Sequence, residues 1–182
     1  MSDAVSPMNG ATFEGFVTVS DTGPRGMITL RGAPEELARM AKALGPDLPE
    51  PLSMTAKGPV TLAWMSPDEL MVLCDYDAAP GLAGKAEAAV AGAHALVAVV
   101  SDARAIYRLD GPDAADVLRK LTPARLDGAQ VGTIRRTRLA QSAGAFWMTG
   151  PGLFEVMCFR SEGQYVWTLL CNAARPGSEL NL

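Results

Sequence analysis

Two stretches of the chain, AWMSPDELMVLC at residues 63–74 and FWMTGPGLFEVMC at residues 146–158, carry the same order of features. Each runs through Trp-Met, a Ser or Thr and a Pro-containing turn into an apolar segment that closes on Cys. Pro and its polar or Gly neighbours punctuate two runs of strand composition, so each stretch predicts a β-hairpin. A repeated supersecondary unit constrains the fold more than any single element, because the residues around it must repeat as well. Trp64 and Trp147 lie 83 positions apart, Cys74 and Cys158 84, and Gly32 and Gly111 79, so insertions or deletions separate the copies.

The flanking segments repeat in kind. MITLRG reads as a strand stopped by Gly32, and PEELARMAKALG as a helix with Pro34 at its start, Glu35 and Glu36 in the first turn and Gly45 as its stop. Leu37, Met40, Ala41 and Leu44 fall at i, i+3, i+4 and i+7, one apolar stripe. In the second half AIYRLDG is a strand stopped by Gly111, and PDAADVLRKL is a helix with Ala114, Val117, Leu118 and Leu121 at the same spacing. TIRRTRLAQ alternates as a strand, ALVAVVS is a further strand, and LAGKAEAAVAGAH and GQYVWTLLCNAA are helices after the hairpins. GPDLPEPLSMTAKGP is dense in Pro and Gly and reads as a loop, and residues 1–12, polar and small, as a disordered arm. The expected architecture is α+β: one domain, residues 13–182, of two pseudo-repeated β-α-β-β-α modules, about 26–101 and 104–175, with antiparallel or mixed sheets.

At 182 residues and 48% hydrophobic content, the chain is long enough to bury a sizeable core. Its 16 Lys and Arg against 20 Asp and Glu provide no electrostatic footprint for nucleic acid or an anionic membrane. Cys74, Cys158 and Cys171 show no CxxC spacing and read as reduced thiols of a cytoplasmic protein. The first twenty residues lack the features of a signal peptide, and ALVAVV, the most apolar window, is too short to span a bilayer.

Residues that could carry chemistry are few. His94 is the single histidine and falls at the end of an Ala-rich helix, where it reads as a capping or surface residue. No nucleophile motif accompanies it, no G-x-G-x-x-G follows a strand and no P-loop is present, so no catalytic, cofactor-binding or metal-ligating residue is assigned. Glu35, Glu36, Asp113 and Asp116 read as solvated first-turn acids. Arg135, Arg136 and Arg138 stand within one strand of an acidic protein, Arg136 and Arg138 on one face and Arg135 on the other. Two readings stay open for them: a solvated sheet face, or a salt-bridged contact with a partner subunit or acidic ligand. Trp64 and Trp147 read first as packing residues rather than as stacking residues for a substrate; the candidate interface is Arg135, Arg136, Arg138 and Trp147.

The run VVSDARAIYRLDGPDAADVLRKLTPARLDGAQVGTIRRTRLAQSAGAFWM resembles the gamma subunit of heterotetrameric sarcosine oxidase, in its G-P-D-A strand end, VLRKL helix, Leu-Asp loop, RTRLAQ strand and FWM. MITLRG and LAWMSPDELMVLC fit the same family's first half, and LDGPDAADVLRKLT is shared more widely with the folate-binding domain of aminomethyltransferases. The resemblance implies a complex that oxidatively demethylates sarcosine with oxygen and tetrahydrofolate to glycine, hydrogen peroxide and methylenetetrahydrofolate. It implies alpha, beta and delta partner subunits that carry FAD, FMN, NAD, zinc and tetrahydrofolate, and no cofactor on this chain. The expected role is therefore that of a non-catalytic structural subunit; the alternative is a free-standing folate-binding module related to aminomethyltransferases. Such an enzyme is expected to be longer, with an additional C-terminal barrel, so length favours the subunit.

Overall fold

A computed structural model describes residues 4–180. The chain divides into two compact units, Arg25–Ser101 and Met1–Pro24 with Asp102–Leu182.

In the first, strands β3 (Gly26–Arg31), β4 (Met54–Lys57), β5 (Val60–Ser66), β6 (Glu69–Cys74) and β7 (Leu96–Val99) form an antiparallel sheet in the order β4-β5-β6-β3-β7, with helices α1 (Pro34–Leu44) and α2 (Ala79–Ala89). Pro34 opens α1, the amide of Gly45 closes it on the Ala41 carbonyl, and the expected stripe of Leu37, Met40, Ala41 and Leu44 is buried. That stripe packs with Ile28, Leu30, Leu62, Leu70, Val72 and the small residues Ala83 and Ala86 of α2. Every residue of β6 is buried; the unbroken apolar run Leu70–Cys74 requires it, and Glu69 is buried with it. Met54–Lys57, read from the sequence as part of a loop, is instead an edge strand. Gly58, at φ 58°, supplies the positive φ that a two-residue turn needs at its first position, and so Gly58-Pro59 reverses the chain into β5.

The second unit holds β1 (Thr12–Phe13), β2 (Thr18–Asp21), β8 (Arg104–Asp110), β9 (Ile134–Leu139), β10 (Ser142–Gly150) and β11 (Leu153–Phe159) in the order β1-β2-β8-β11-β10-β9, with helices α3 (Ala114–Arg119) and α4 (Gly163–Ala173). Tyr107, Leu109, Val117, Leu118, Phe146, Phe154, Val156, Val166 and Leu170 form its core, with Tyr107 edge-on to Trp167 at 5.4 Å between ring centres. The expected disordered arm is corrected here over residues 4–12; residues 1–3 lie outside the described residues. The buried Asp21 carboxylate accepts the Met8 and Gly10 amides at 3.0 and 3.3 Å, and Arg160 donates to the Val5 carbonyl at 2.7 Å. The helix expected over residues 112–121 spans only Ala114–Arg119.

The repeat is a repeat of topology. β3-α1-β4-β5-β6-α2 and β8-α3-β9-β10-β11-α4 run in the same order and build sheets of the same strand sequence, β4-β5-β6-β3 and β9-β10-β11-β8. The next position is filled differently: beside β3 lies β7, which follows α2, whereas beside β8 lies β2, from the N-terminal segment.

The matching of the two tryptophans is one residue out. The hairpin turns are Pro67-Asp68 and Pro151-Gly152, each preceded by a bulge, so Trp64 corresponds to Met148 and Trp147 to Ala63. Trp64 sits opposite Leu70 and packs on the helix-covered core, as Met148 does opposite Phe154. Trp147 sits opposite Glu155 on the other face, because a one-residue offset in a strand reverses the side chain.

Candidate functional site

β9 is an end strand of its sheet, paired only with β10 among the described strands. Its burial alternates between ends anchored by Ile134 and Leu139, with Arg136 and Arg138 exposed and Arg135 and Thr137 half-buried. The pairs Arg135 with Phe146 and Arg136 with Ala145 put Arg135 on the helix-covered face and Arg136 with Arg138 on the other.

Four other arginines meet carboxylates: Arg31 with Asp68 at 2.7 Å, Arg39 with Glu36 at 3.0 Å, Arg108 with Glu155 at 3.2 Å and Arg119 with Asp116 at 2.8 Å. Arg135 and Arg138 meet backbone carbonyls instead, those of Ile134 at 3.0 Å and Gln141 at 3.1 Å. Their charge is thus not neutralised by an ion pair within the described residues, and the edge of this acidic chain is locally cationic.

Trp147 does not belong to that surface. It is 3% exposed and donates its indole N–H to Glu155 Oε2 at 3.0 Å, while Arg108 holds Oε1. The apolar run LFEVMCF conceals this carboxylate in the sequence; its role is visible only through the register Trp147–Glu155–Arg108 across β10, β11 and β8. Two of the first-turn acids expected in solvent are also buried: Glu36 and Asp116, each beside an arginine three residues on.

α2 ends at Ala89, so the exposed His94 stands beyond its last turn and cannot cap it. It borders an open cleft with Arg31, Glu35 and Asp68. There the Ser66 hydroxyl and the Arg31 guanidinium lower the Asp68 carboxyl to about 2. Trp64 lines a cavity of about 290 Å³ with Leu37, Leu70, Pro49 and Pro51.

Cys74, Cys158 and Cys171 are free and buried, and burial raises their thiols, Cys158 to about 12 and Cys171 to about 11. No group of three His, Cys, Asp or Glu placed to hold a metal occurs among the described residues, and none of their helices is long and apolar enough to cross a membrane.

The duplicated α+β fold is similar to part of an aminomethyltransferase: the glycine cleavage system aminomethyltransferase T from Bartonella henselae superposes with a TM-score of 0.63 at 17% identity, over 86% of this chain and 45% of that one. The family is set by sequence. Residues 31–175 match the model of the sarcosine oxidase, gamma subunit family, and the chain belongs to that family. It is 36% identical over 139 residues to sarcosine oxidase subunit gamma of an Arthrobacter species, covering 72% of this chain and 67% of that relative. Among solved structures, heterotetrameric sarcosine oxidase from Corynebacterium sp. U-96, in complex with pyrrole 2-carboxylate, matches with a TM-score of 0.81 at 26% identity, over 90% of this chain and 87% of the matched one.

Proposed function

We propose that this chain is a non-catalytic structural subunit of a cytoplasmic heterotetrameric sarcosine oxidase. The complex oxidatively demethylates sarcosine to glycine, reducing oxygen to hydrogen peroxide and passing the one-carbon unit to tetrahydrofolate. Alpha, beta and delta subunits carry FAD, FMN, NAD, zinc and the folate, and this chain contributes surface. The observation that carries the reading is the match over 90% of the chain to a subunit of a heterotetrameric sarcosine oxidase. The cationic edge supports it: Arg135 and Arg138, which meet only backbone carbonyls in a chain of formal net charge -4, suit a partner's carboxylates. Trp147, buried against Glu155, is withdrawn from this interface.

Co-expression with the three other subunits tests the reading. Replacing Arg136 and Arg138 together by Ala weakens co-purification, by about 2–5 kcal/mol if the charged pairs are desolvated in the complex. Sarcosine turnover falls with assembly. Full oxidase activity of a complex assembled without this chain would overturn the proposal.

A further inference from the structure

We infer that the open edge of β9 accepts an extended acidic segment of a partner subunit as an additional strand; this rests on the reading of the chain as an oxidase subunit and specifies how it docks. β9 and β10 are joined by the two-residue turn Ala140-Gln141, with Leu139 opposite Ser142. In such a hairpin the closing pair exchanges its hydrogen bonds, and every second residue does the same. Leu139, Thr137 and Arg135 therefore direct their backbone groups toward β10, and Arg138, Arg136 and Ile134 direct theirs toward the open side. The Arg135 guanidinium on the Ile134 carbonyl at 3.0 Å agrees with this, since that oxygen lies on the outer side.

An incoming strand would thus meet outward backbone groups, with the Arg136 and Arg138 side chains along one face and Arg135 along the other. Two acidic residues three positions apart, one opposite Arg138 on one face and one opposite Arg135 on the other, match that arrangement. The same three charges exclude a second copy of this chain as occupant, because β9 paired with β9 would bring arginines opposite arginines. A sheet edge bearing like charge is protected against self-pairing and stays open to a strand of opposite charge.

Residue-resolved amide exchange on the full chain, alone and in the assembled oxidase, reads this directly. Thr137 and Arg135, bonded to β10, are slow in both samples and report that the hairpin is folded. The Arg138 amide exchanges fast in the free chain and slows by about tenfold or more in the complex if a strand is added. The variant carrying Arg136→Glu and Arg138→Glu loses co-purification, and Arg138→Lys retains it. Loss of assembly on charge reversal with an Arg138 amide that remains fast in the wild-type complex would overturn strand addition and leave the subunit reading standing. An unchanged amide together with unchanged assembly would reduce the arginines to guards of the edge and overturn the inference. Failure of the wild-type chain to join the complex would overturn the subunit reading itself.

Discussion

Trp147 donates its indole N–H to Glu155 Oε2 at 3.0 Å, and the two residues are 3% and 4% exposed. Hydrogen bonds to a charged group contribute about 1.5–3 kcal/mol when buried. Trp147→Phe keeps an aromatic ring and removes the donor, so it lowers stability by about that amount, read as a shift of the urea midpoint at constant slope. Trp64→Phe is the comparison: Trp64 is half-buried and serves packing, and its loss is the smaller of the two. Equal losses would remove the special role given to the Trp147–Glu155 pair.

Gly152 makes the second prediction. It lies at φ 69°, its carbonyl accepts the Gly111 amide at 3.1 Å, and a Cβ on it would stand 2.7 Å from the Gly111 carbonyl oxygen. Gly128 has a similar φ of 73° with open space around a Cβ. Gly128→Ala therefore carries only the left-handed backbone cost of about 1–2 kcal/mol. Gly152→Ala adds displacement of the Gly111 backbone, and its melting temperature falls further than that of Gly128→Ala.

How much of this could be read in advance depended on whether the deciding contact was local. The stripe of α1 and the continuous run of β6 are local patterns with a burial requirement, and both stand in the structure as the sequence predicts. β4 was hidden because Gly58-Pro59 signals a break while also making a hairpin turn, and turn composition does not tell loop from reversal. The order of the N-terminal segment is not legible locally because what holds it is far along the chain: β2 pairs with β8, and the Asp21 carboxylate gathers two amides from a polar stretch that has no periodicity of its own. Residue identity aligns the two tryptophans, whereas the bulges and turns align Trp64 with Met148, a distinction that only the strand register makes. Of the proposed site, the arginine strand and its alternation were legible. Its place at the end of a sheet, and the burial of Trp147, were tertiary facts.

The thiols set a third expectation, in pH. Burial raises Cys158 from an ordinary value of 9.0 to about 12, which leaves it about a thousandth of the usual thiolate at pH 8. Iodoacetamide at that pH labels Cys158 in the denatured chain and not in the folded one. The linkage sign follows, since the unfolded chain loses the proton first: the contribution is complete below about pH 9 and is lost as pH rises from 9 toward 12. Tyr107, also raised by burial above its ordinary value of 10.0, adds to the loss at higher pH. The melting temperature therefore declines above pH 9, and Cys158→Ala flattens the decline between pH 9 and 10. A wild-type protein whose melting temperature is level from pH 8 to 11 would contradict this.

The division of labour proposed for the complex makes the last prediction. A flavin held by protein needs a built cradle for its phosphates and ring, and zinc needs three or four convergent ligands. The sequence carries no glycine fingerprint after a strand, its three cysteines are buried apart from any group of metal ligands among the described residues, and His94 is exposed beyond the end of α2. The purified chain is therefore expected to show no flavin absorbance near 450 nm and no stoichiometric zinc by metal analysis, whereas the co-expressed complex shows both. The comparison discriminates because both samples contain this chain at known concentration, so a cofactor that copurifies only with the complex belongs to its partners. One flavin or one zinc per isolated chain would make it a cofactor-bearing subunit and overturn the structural role proposed for it.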